Sequence, residues 1–332
     1  MSRIQGKTIS DGTPVYAGVD VSKATLELHV LEAGGRAGGG QRHRFANDAA
    51  GIAALLGCLE GHCRGRPGRV AFEPTGRFHL GLWRGLDRAG HAAVPFNPYR
   101  ARHFAEADGQ PAKTDAIDAR MLARAAASMD LRAAPPPAEE HLRIKELHGL
   151  RLGTVGMLRA AKNRRGAASD ALAERLLGDQ IALFEAQIAA LDAELARLIA
   201  ARPELARRRD ILASIPGIGP VSAAALIAEM PELGSLGDKQ PAKLLGVAPF
   251  DRQSGNWTGR SRIRGGRRRL RSALHMAALA AARANPDLHA FRDRLKAAGK
   301  PARLILTAVL RKLVTLANIL IRENRLWAQQ RP

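Results

Sequence analysis

The sequence predicts two fold classes in succession, an α/β region built on a mixed sheet and then a mainly α region. Three observations carry this. Short β-type runs alternate with helical ones from Val15 to about Leu131, three consecutive prolines break the pattern at Pro135 to Pro137, and helical periodicity dominates afterwards. At 332 residues and 46% hydrophobic content the chain can bury a substantial core, and its length suggests about two domains.

Taken in order, "VYAGVDVS" and "TLELHVLE" read as the two strands of a hairpin and "QRHRFAND" as a third strand. "AAGIAALLGCLE" reads as a helix, "RVAFEPTG" as a strand, "RFHLGLWRGLDRAG" as a helix and "HAAVPFNP" as a strand, with an alanine-rich helical run after "AKTDAIDAR". The order is β-β-β-α-β-α-β-α. Three antiparallel strands followed by crossover units that add parallel strands make a mixed sheet with helices on its faces, the order of a ribonuclease-H-like fold. The prolines of "RAAPPPAEE" stiffen the chain and forbid a continuing helix, so a linker is expected there. Beyond it, Leu177, Ile181, Phe184, Ile188, Leu191, Leu195 and Leu198 recur at alternating steps of four and three, the spacing of a coiled-coil seam. Such a seam serves either dimerisation or an intramolecular helical hairpin. "ILASIPGIGPVSAAALIAEM" reads as a helix-hairpin-helix. Gly217 and Gly219 of its turn would let backbone N–H groups approach a phosphate at a helix N-terminus. The expected divisions are 1–131, 132–209 and 210–332.

Charge narrows the partners. Lys and Arg number 52 against 31 Asp and Glu, a formal net charge of +21, which points to a polyanion, nucleic acid first. Cys58 and Cys63, with His62 between them, lack the second ligand pair of a structural zinc site and read as ordinary reduced thiols. The first fifteen residues hold no apolar signal-peptide core and no run of 18 apolar residues occurs. Neither a signal peptide nor a membrane span is therefore expected, and the expected compartment is the cytoplasm.

Against this basic background, acids stand at particular places. Asp20 lies inside an apolar strand, where a charge is costly unless paired or bound to metal. Glu73 follows the apolar run of the fourth strand. Asp115 and Asp118 stand three apart, so on a helix they share a face, with Cβ atoms about 5–6 Å apart. If the first and fourth strands are neighbours, four carboxylates can meet. Oxygen-only ligands suit Mg²⁺, or Mn²⁺, and two such ions about 3.5–4 Å apart can stabilise the attacking and leaving oxygens of a phosphodiester. Taken alone, Asp115 and Asp118 could simply favour a helix start.

Residues 246 to 282 carry Arg252, Arg260, Arg262, Arg264, Arg267, Arg268, Arg269 and Arg271, with Trp257 among them. Arginine forks bind phosphate bidentately and an interleaved aromatic stacks on a base or sugar, so this reads as a nucleic-acid surface. The glycines around Ser254 present it on a loop or turn. A serine there either attacks phosphorus, once a base or metal activates it, or hydrogen-bonds a phosphate. Thr258 and Ser261 are the neighbouring hydroxyls.

The motifs "YAGVDVSK", "FEPTG", "KTDAIDAR", "IPGIGPVSAAALIAE" and "SGNWTGRSRIRGGRRRLR", spread over nearly the whole chain, resemble the DEDD-type transposases of the insertion sequence 110 family and related site-specific DNA invertases. The resemblance implies a RuvC-like catalytic domain, a coiled-coil region and a C-terminal transposase domain with a nucleophilic serine. It places the acidic tetrad at Asp20, Glu73, Asp115 and Asp118 and the serine at Ser254, directly before Gly255. It also implies double-stranded DNA partners (an element junction and a target), a noncoding bridge RNA, and a homodimer or tetramer. Acids and serine fall on different expected domains, so a composite site within one chain or across a dimer is implied. The competing expectations are a hydrolytic junction-resolving endonuclease, in which water attacks, and an inert nucleic-acid-binding protein.

Overall fold

The computed structural model describes residues 14–31, 39–108, 115–250, 253–254, 257–259 and 261–328, with backbone alone for 115–117, 253–254 and 257–258. The chain divides into two compact units, 1–137 and 138–332.

In the first unit, β1 (Val15–Val21), β2 (Thr25–Leu31) and β3 (Gly40–Ala46) precede α1 (Ala49–Cys63), β4 (Gly68–Phe72), α2 (Leu80–Arg88), β5 (Ala92–Pro95), α3 (Pro98–Ala107) and α4 (Asp115–Ser128). Among the described residues the five strands form one sheet in the order β3-β2-β1-β4-β5. The first three are antiparallel, and β4 and β5 run parallel to β1. This is the order expected from the sequence, except that the last helical stretch is two helices. Local chemistry sets the boundaries: Asp48 caps α1 by accepting from the Gly51 N–H at 2.7 Å, and Asn97 caps α3, whose first residue is Pro98.

Strand alternation then sorts the side chains. Val15, Ala17, Val19 and Val21 face a core shared with Leu55, Leu59, Leu82, Trp83 and Leu86 of α1 and α2. Tyr16, on the opposite face, packs into a second cluster with Val94, Phe96, Met121, Leu122, Ala125 and Ala126. Gly18 shares that face, and a Cβ there would lie 2.1 Å from the Ala119 carbonyl oxygen and 2.4 Å from the Ala123 nitrogen. Glycine thus lets the backbone of α4 lie directly on β1. Gly18→Val is expected to destabilise the first unit by roughly 1–3 kcal/mol or more and to lift α4 off the sheet. A melting curve and a DNA-cleavage rate both equal to wild type would contradict this.

The first unit runs past Leu131: Ala134 donates its N–H to the Ala93 carbonyl at 3.0 Å and accepts from Trp83 Nε1 at 2.8 Å. The second unit opens with α5 (Glu139–Arg165) and α6 (Ala171–Ala200), an antiparallel pair tied by Arg143–Glu194 and Lys162–Glu185, both at 2.7 Å, and by two bonds from Arg151 to Asp192. The apolar seam of α6, with Ile181 and Leu195 buried, is covered by α5 of the same chain. At its base Ile144, Leu195 and Ile199 enter a core with α7 (Pro203–Ser214), α8 (Pro220–Glu229) and α9 (Gln240–Leu245).

Four two-residue strands follow, β6 (Pro249–Phe250), β7 (Gln253–Ser254), β8 (Trp257–Thr258) and β9 (Arg262–Ile263), then α10 (Arg268–Ala273), α11 (His275–Ala284), α12 (Pro286–Ala297) and α13 (Ala302–Arg322). By length and composition α13 could cross a membrane. Its apolar stripe, from Ile305 through Leu320, is instead buried in this core. There the buried Asn318 accepts from the Gly234 N–H at 2.8 Å and donates to the Leu236 carbonyl at 2.9 Å. A buried amide whose oxygen and nitrogen both have partners of this kind belongs to a protein interior.

Candidate active site and nucleic-acid surface

The acids come together through strand register. Val19 of β1 pairs with Phe72 of β4 in parallel, so Asp20 and Glu73 are the next residues on two adjacent strands, at the same end of the sheet. Asp20 shares its face with Gly18, where α4 rests. Because Tyr16 packs with the later turns of α4, the first turn of that helix lies toward Asp20. Asp118 is half-buried immediately before Ala119, and Asp115 is the first residue of α4. The backbone therefore carries all four predicted positions to one end of the sheet, for Asp115 by its backbone alone. The donor set is carboxylate oxygen throughout, which fits a hard divalent cation.

A fifth acid escaped the sequence reading. Glu27 lies directly opposite Asp20 in the β1–β2 register and is only 3% exposed. Arg42 Nε donates to its Oε2 at 3.0 Å, and Arg44 Nε lies 3.2 Å from its Oε1. Two arginines from β3 thus neutralise the carboxylate beside Asp20. The signal was present, since Glu27 is a charge inside the apolar run "TLELHVL", the same argument that singled out Asp20. His29 pairs with Gly18. Burial, and then the charges of Arg120 and Arg42, lower its pKa, so it stands neutral at pH 7 beside the acids.

In the second unit Ser254 ends β7, which pairs antiparallel with β8 in the register Ser254 to Trp257. Two residues separate them, so the serine stands at a tight hairpin, as its glycine-rich setting suggested. Outside this pair, Pro249 and Phe250 of β6 meet Ile263 and Arg262 of β9. The base of the arm is a backbone-on-backbone contact. Gly246 and Gly266 both have positive φ, and a Cβ on Gly246 would lie 2.2 Å from the Gly265 oxygen, one on Gly266 2.3 Å from the Gly246 nitrogen.

The arginines there divide into two kinds. Arg271 Nη1 donates to the carbonyls of Leu245, Gly246 and Gly265 at 3.2, 3.0 and 2.9 Å. Arg267 forms a bidentate pair with Glu232. Both therefore hold the base of the arm, an occupation that a count of positive charges cannot show. Arg262, Arg264, Arg268 and Arg269 are exposed, as a phosphate-facing surface requires. Arg252 and Arg260 lie outside the described residues, and Trp257 is described by its backbone alone.

The two glycines of the α7–α8 turn also differ. Gly217 has φ +105°, and a Cβ there would lie 2.5 Å from Ala281 Cα of α11, so close packing demands glycine. Gly219 is exposed at the start of α8, with open space where a Cβ would be.

Acids at the ends of two central parallel strands and on a helix laid across them define the DEDD-type, RuvC-like class of DNA-processing domain. Residues 17–168 match the DEDD-type IS110 family described as "Transposase", and residues 209–293 match "Transposase IS116/IS110/IS902 family". The chain belongs to the insertion sequence 110 family of transposases, DNA-recombining enzymes that take DNA as substrate and depend on a divalent metal ion. It is similar to the pilin gene-inverting proteins of Moraxella bovis and Moraxella lacunata, 28% identical to each over 315 residues, 93% of this chain and 96% of theirs. It is also 27% identical over 158 residues, 47% of this chain and 38% of the relative, to the insertion element IS110 uncharacterized 43.6 kDa protein of Streptomyces coelicolor.

Proposed function

We propose that the protein cuts and rejoins DNA strands through a covalent serine–phosphate intermediate at Ser254, with Mg²⁺, or Mn²⁺ in its place, held by Asp20, Glu73, Asp115 and Asp118. The carrying observation is the parallel register that sets Asp20 and Glu73 side by side at the end of β1 and β4. The first unit, 1–137, acts as the catalytic domain, and the second, 138–332, begins with the helical pair α5 and α6 and carries the serine in its transposase region. When bound, the metal supplies Lewis-acid stabilisation of the oxygens that enter and leave phosphorus.

The chain's own residues do the rest. Ser254 Oγ forms a bond to phosphorus while the bond from phosphorus to the departing deoxyribose oxygen breaks; the serine proton is lost to a base or solvent and the departing oxygen gains one. In the return step an incoming deoxyribose hydroxyl displaces Oγ, which recovers its proton. The phosphodiester energy is conserved, so no nucleotide cofactor is needed. A relative named for inverting a gene must rejoin the ends it produces, and likeness over 93% of this chain supports rejoining here as well.

Exposed Arg262, Arg264, Arg268 and Arg269, with Arg252, Arg260 and Trp257 of the same segment, bind the phosphate backbone, and the open N-terminus of α8 at Gly219 adds a backbone contact. Such contacts read no sequence. From the resemblance to the insertion sequence 110 family we assign target choice to a noncoding bridge RNA that pairs with the element junction and the target, on a homodimer or tetramer working in the cytoplasm.

Two measurements test this. Recombination between junction and target DNA should require RNA transcribed from the sequence flanking the gene, and equal recombination without it would remove the guide. Binding should weaken steeply with salt, and Arg264→Ala or Arg268→Ala should each reduce the slope of log affinity against log salt by about 0.9 per lost phosphate contact, without changing which target is chosen. A salt-insensitive complex would contradict the phosphate-binding surface.

A further inference from the structure

Strand β3 and helix α1 bring together three side chains that the catalytic reading does not use. His43 faces α1 from the middle of β3, in register with Leu28 of the core, while its neighbours Arg42 and Arg44 face the other side of the sheet to hold Glu27. Cys58 and His62 stand four apart on α1, hence on one helix face. The ligand atoms of His43, Cys58 and His62 all lie within 4.8 Å of one another, and each residue is half-buried. The two histidine Nε2 atoms are 3.3 Å apart. Two imidazoles bound to one tetrahedral zinc, with Zn–N of about 2.0–2.1 Å, have their nitrogens about 3.3 Å apart. The present separation therefore needs little movement to admit the ion.

We propose that His43, Cys58 and His62 form a site for a borderline-soft divalent cation, zinc by preference, that fastens the edge strand β3 to α1. Two imidazoles and one thiolate are a donor set that magnesium avoids and zinc favours, so this site and the acids select different ions. The three protein ligands leave a fourth tetrahedral position for water. The Cys58 thiol, which burial holds above its ordinary pKa, gives up its proton to solvent as the S–Zn bond forms; both histidines bind as neutral imidazoles. Cys63, buried in the core beside Gly68 of β4, lies outside the cluster. In the sequence Cys58 reads as an ordinary reduced thiol, because His43 stands on another element 15 residues earlier and comes within reach only after folding.

Cobalt provides a reading that the acids cannot imitate, because only a thiolate ligand produces a sulfur-to-cobalt charge-transfer band. Metal-free full-length protein titrated with Co²⁺ should develop that band at one equivalent per chain, and Zn²⁺ should abolish it. Cys58→Ser should remove it, His43→Ala and His62→Ala should each weaken binding at least about tenfold, and Cys63→Ser should leave it unchanged. A measurement on the wild-type chain avoids any variant that misfolds: Zn²⁺, but not Mg²⁺, should slow alkylation of Cys58 by iodoacetamide at least about tenfold, read by peptide mass spectrometry. The absence of the band, its survival in folded Cys58→Ser protein, or alkylation of Cys58 at the same rate with and without Zn²⁺ would overturn the site.

Discussion

Asp20→Asn is expected to reduce metal-dependent DNA cleavage by on the order of 10³-fold or more, the several kcal/mol of charge stabilisation that a correctly held ion supplies. The fold should not suffer. Asparagine keeps the shape of aspartate, and removing one negative charge from a group of acids relieves repulsion in the metal-free protein, so the melting temperature should stay level or rise. DNA affinity should be largely retained, because the exposed arginines lie in the other unit. Asp118→Asn should behave alike, since α4 delivers that side chain to the same end of the sheet over Gly18. A folded Asp20→Asn protein that cuts at the wild-type rate would remove Asp20 from the metal site.

Ser254→Ala is expected to lose strand exchange by a comparable factor while binding DNA normally, because a nucleophile contributes to the covalent step and little to association. Ser254→Cys should restore at most a trace, sulfur being nucleophilic but poorly matched to an oxygen-preferring metal. Thr258 pairs with Gln253 on the opposite strand of the hairpin, and Ser261 lies beyond it. Thr258→Ala and Ser261→Ala should therefore exchange strands at close to the wild-type rate.

The sheet was legible because alternation is local. Each strand of "VYAGVDVS", "TLELHVLE" and "RVAFEPTG" declares its own faces, and right-handed crossovers leave few ways to order them. The place of Asp20 and Glu73 at neighbouring strand ends was legible for the same reason, a charge in or just after an apolar strand being conspicuous. What escaped depends on partners distant in the chain. Arg267 and Arg271 look like their exposed neighbours until Glu232 and the carbonyls of Leu245, Gly246 and Gly265 are seen beside them. His43 becomes a candidate ligand only when β3 packs on α1. The seam from Leu177 to Leu198 has the same period whether it meets another chain or α5 of its own, so periodicity alone could not choose between dimer and hairpin. Gly217 also has a packing reason to be glycine that the motif does not show, since a Cβ there would lie 2.5 Å from Ala281 Cα.

The most direct test of the recombinase reading asks whether the enzyme is ever bonded to its substrate. A suicide DNA, from which the fragment carrying the rejoining hydroxyl diffuses away after cleavage, should trap a protein–DNA adduct that survives boiling in detergent. Digestion should map the adduct to the peptide "QSGNWTGR", at Ser254, and Ser254→Ala should not form it. Cleavage by Ser254→Ala at the wild-type rate, leaving free 5′ and 3′ ends and no adduct, would contradict the serine mechanism and make the protein a metal-dependent hydrolase in which Ser254 only positions phosphate.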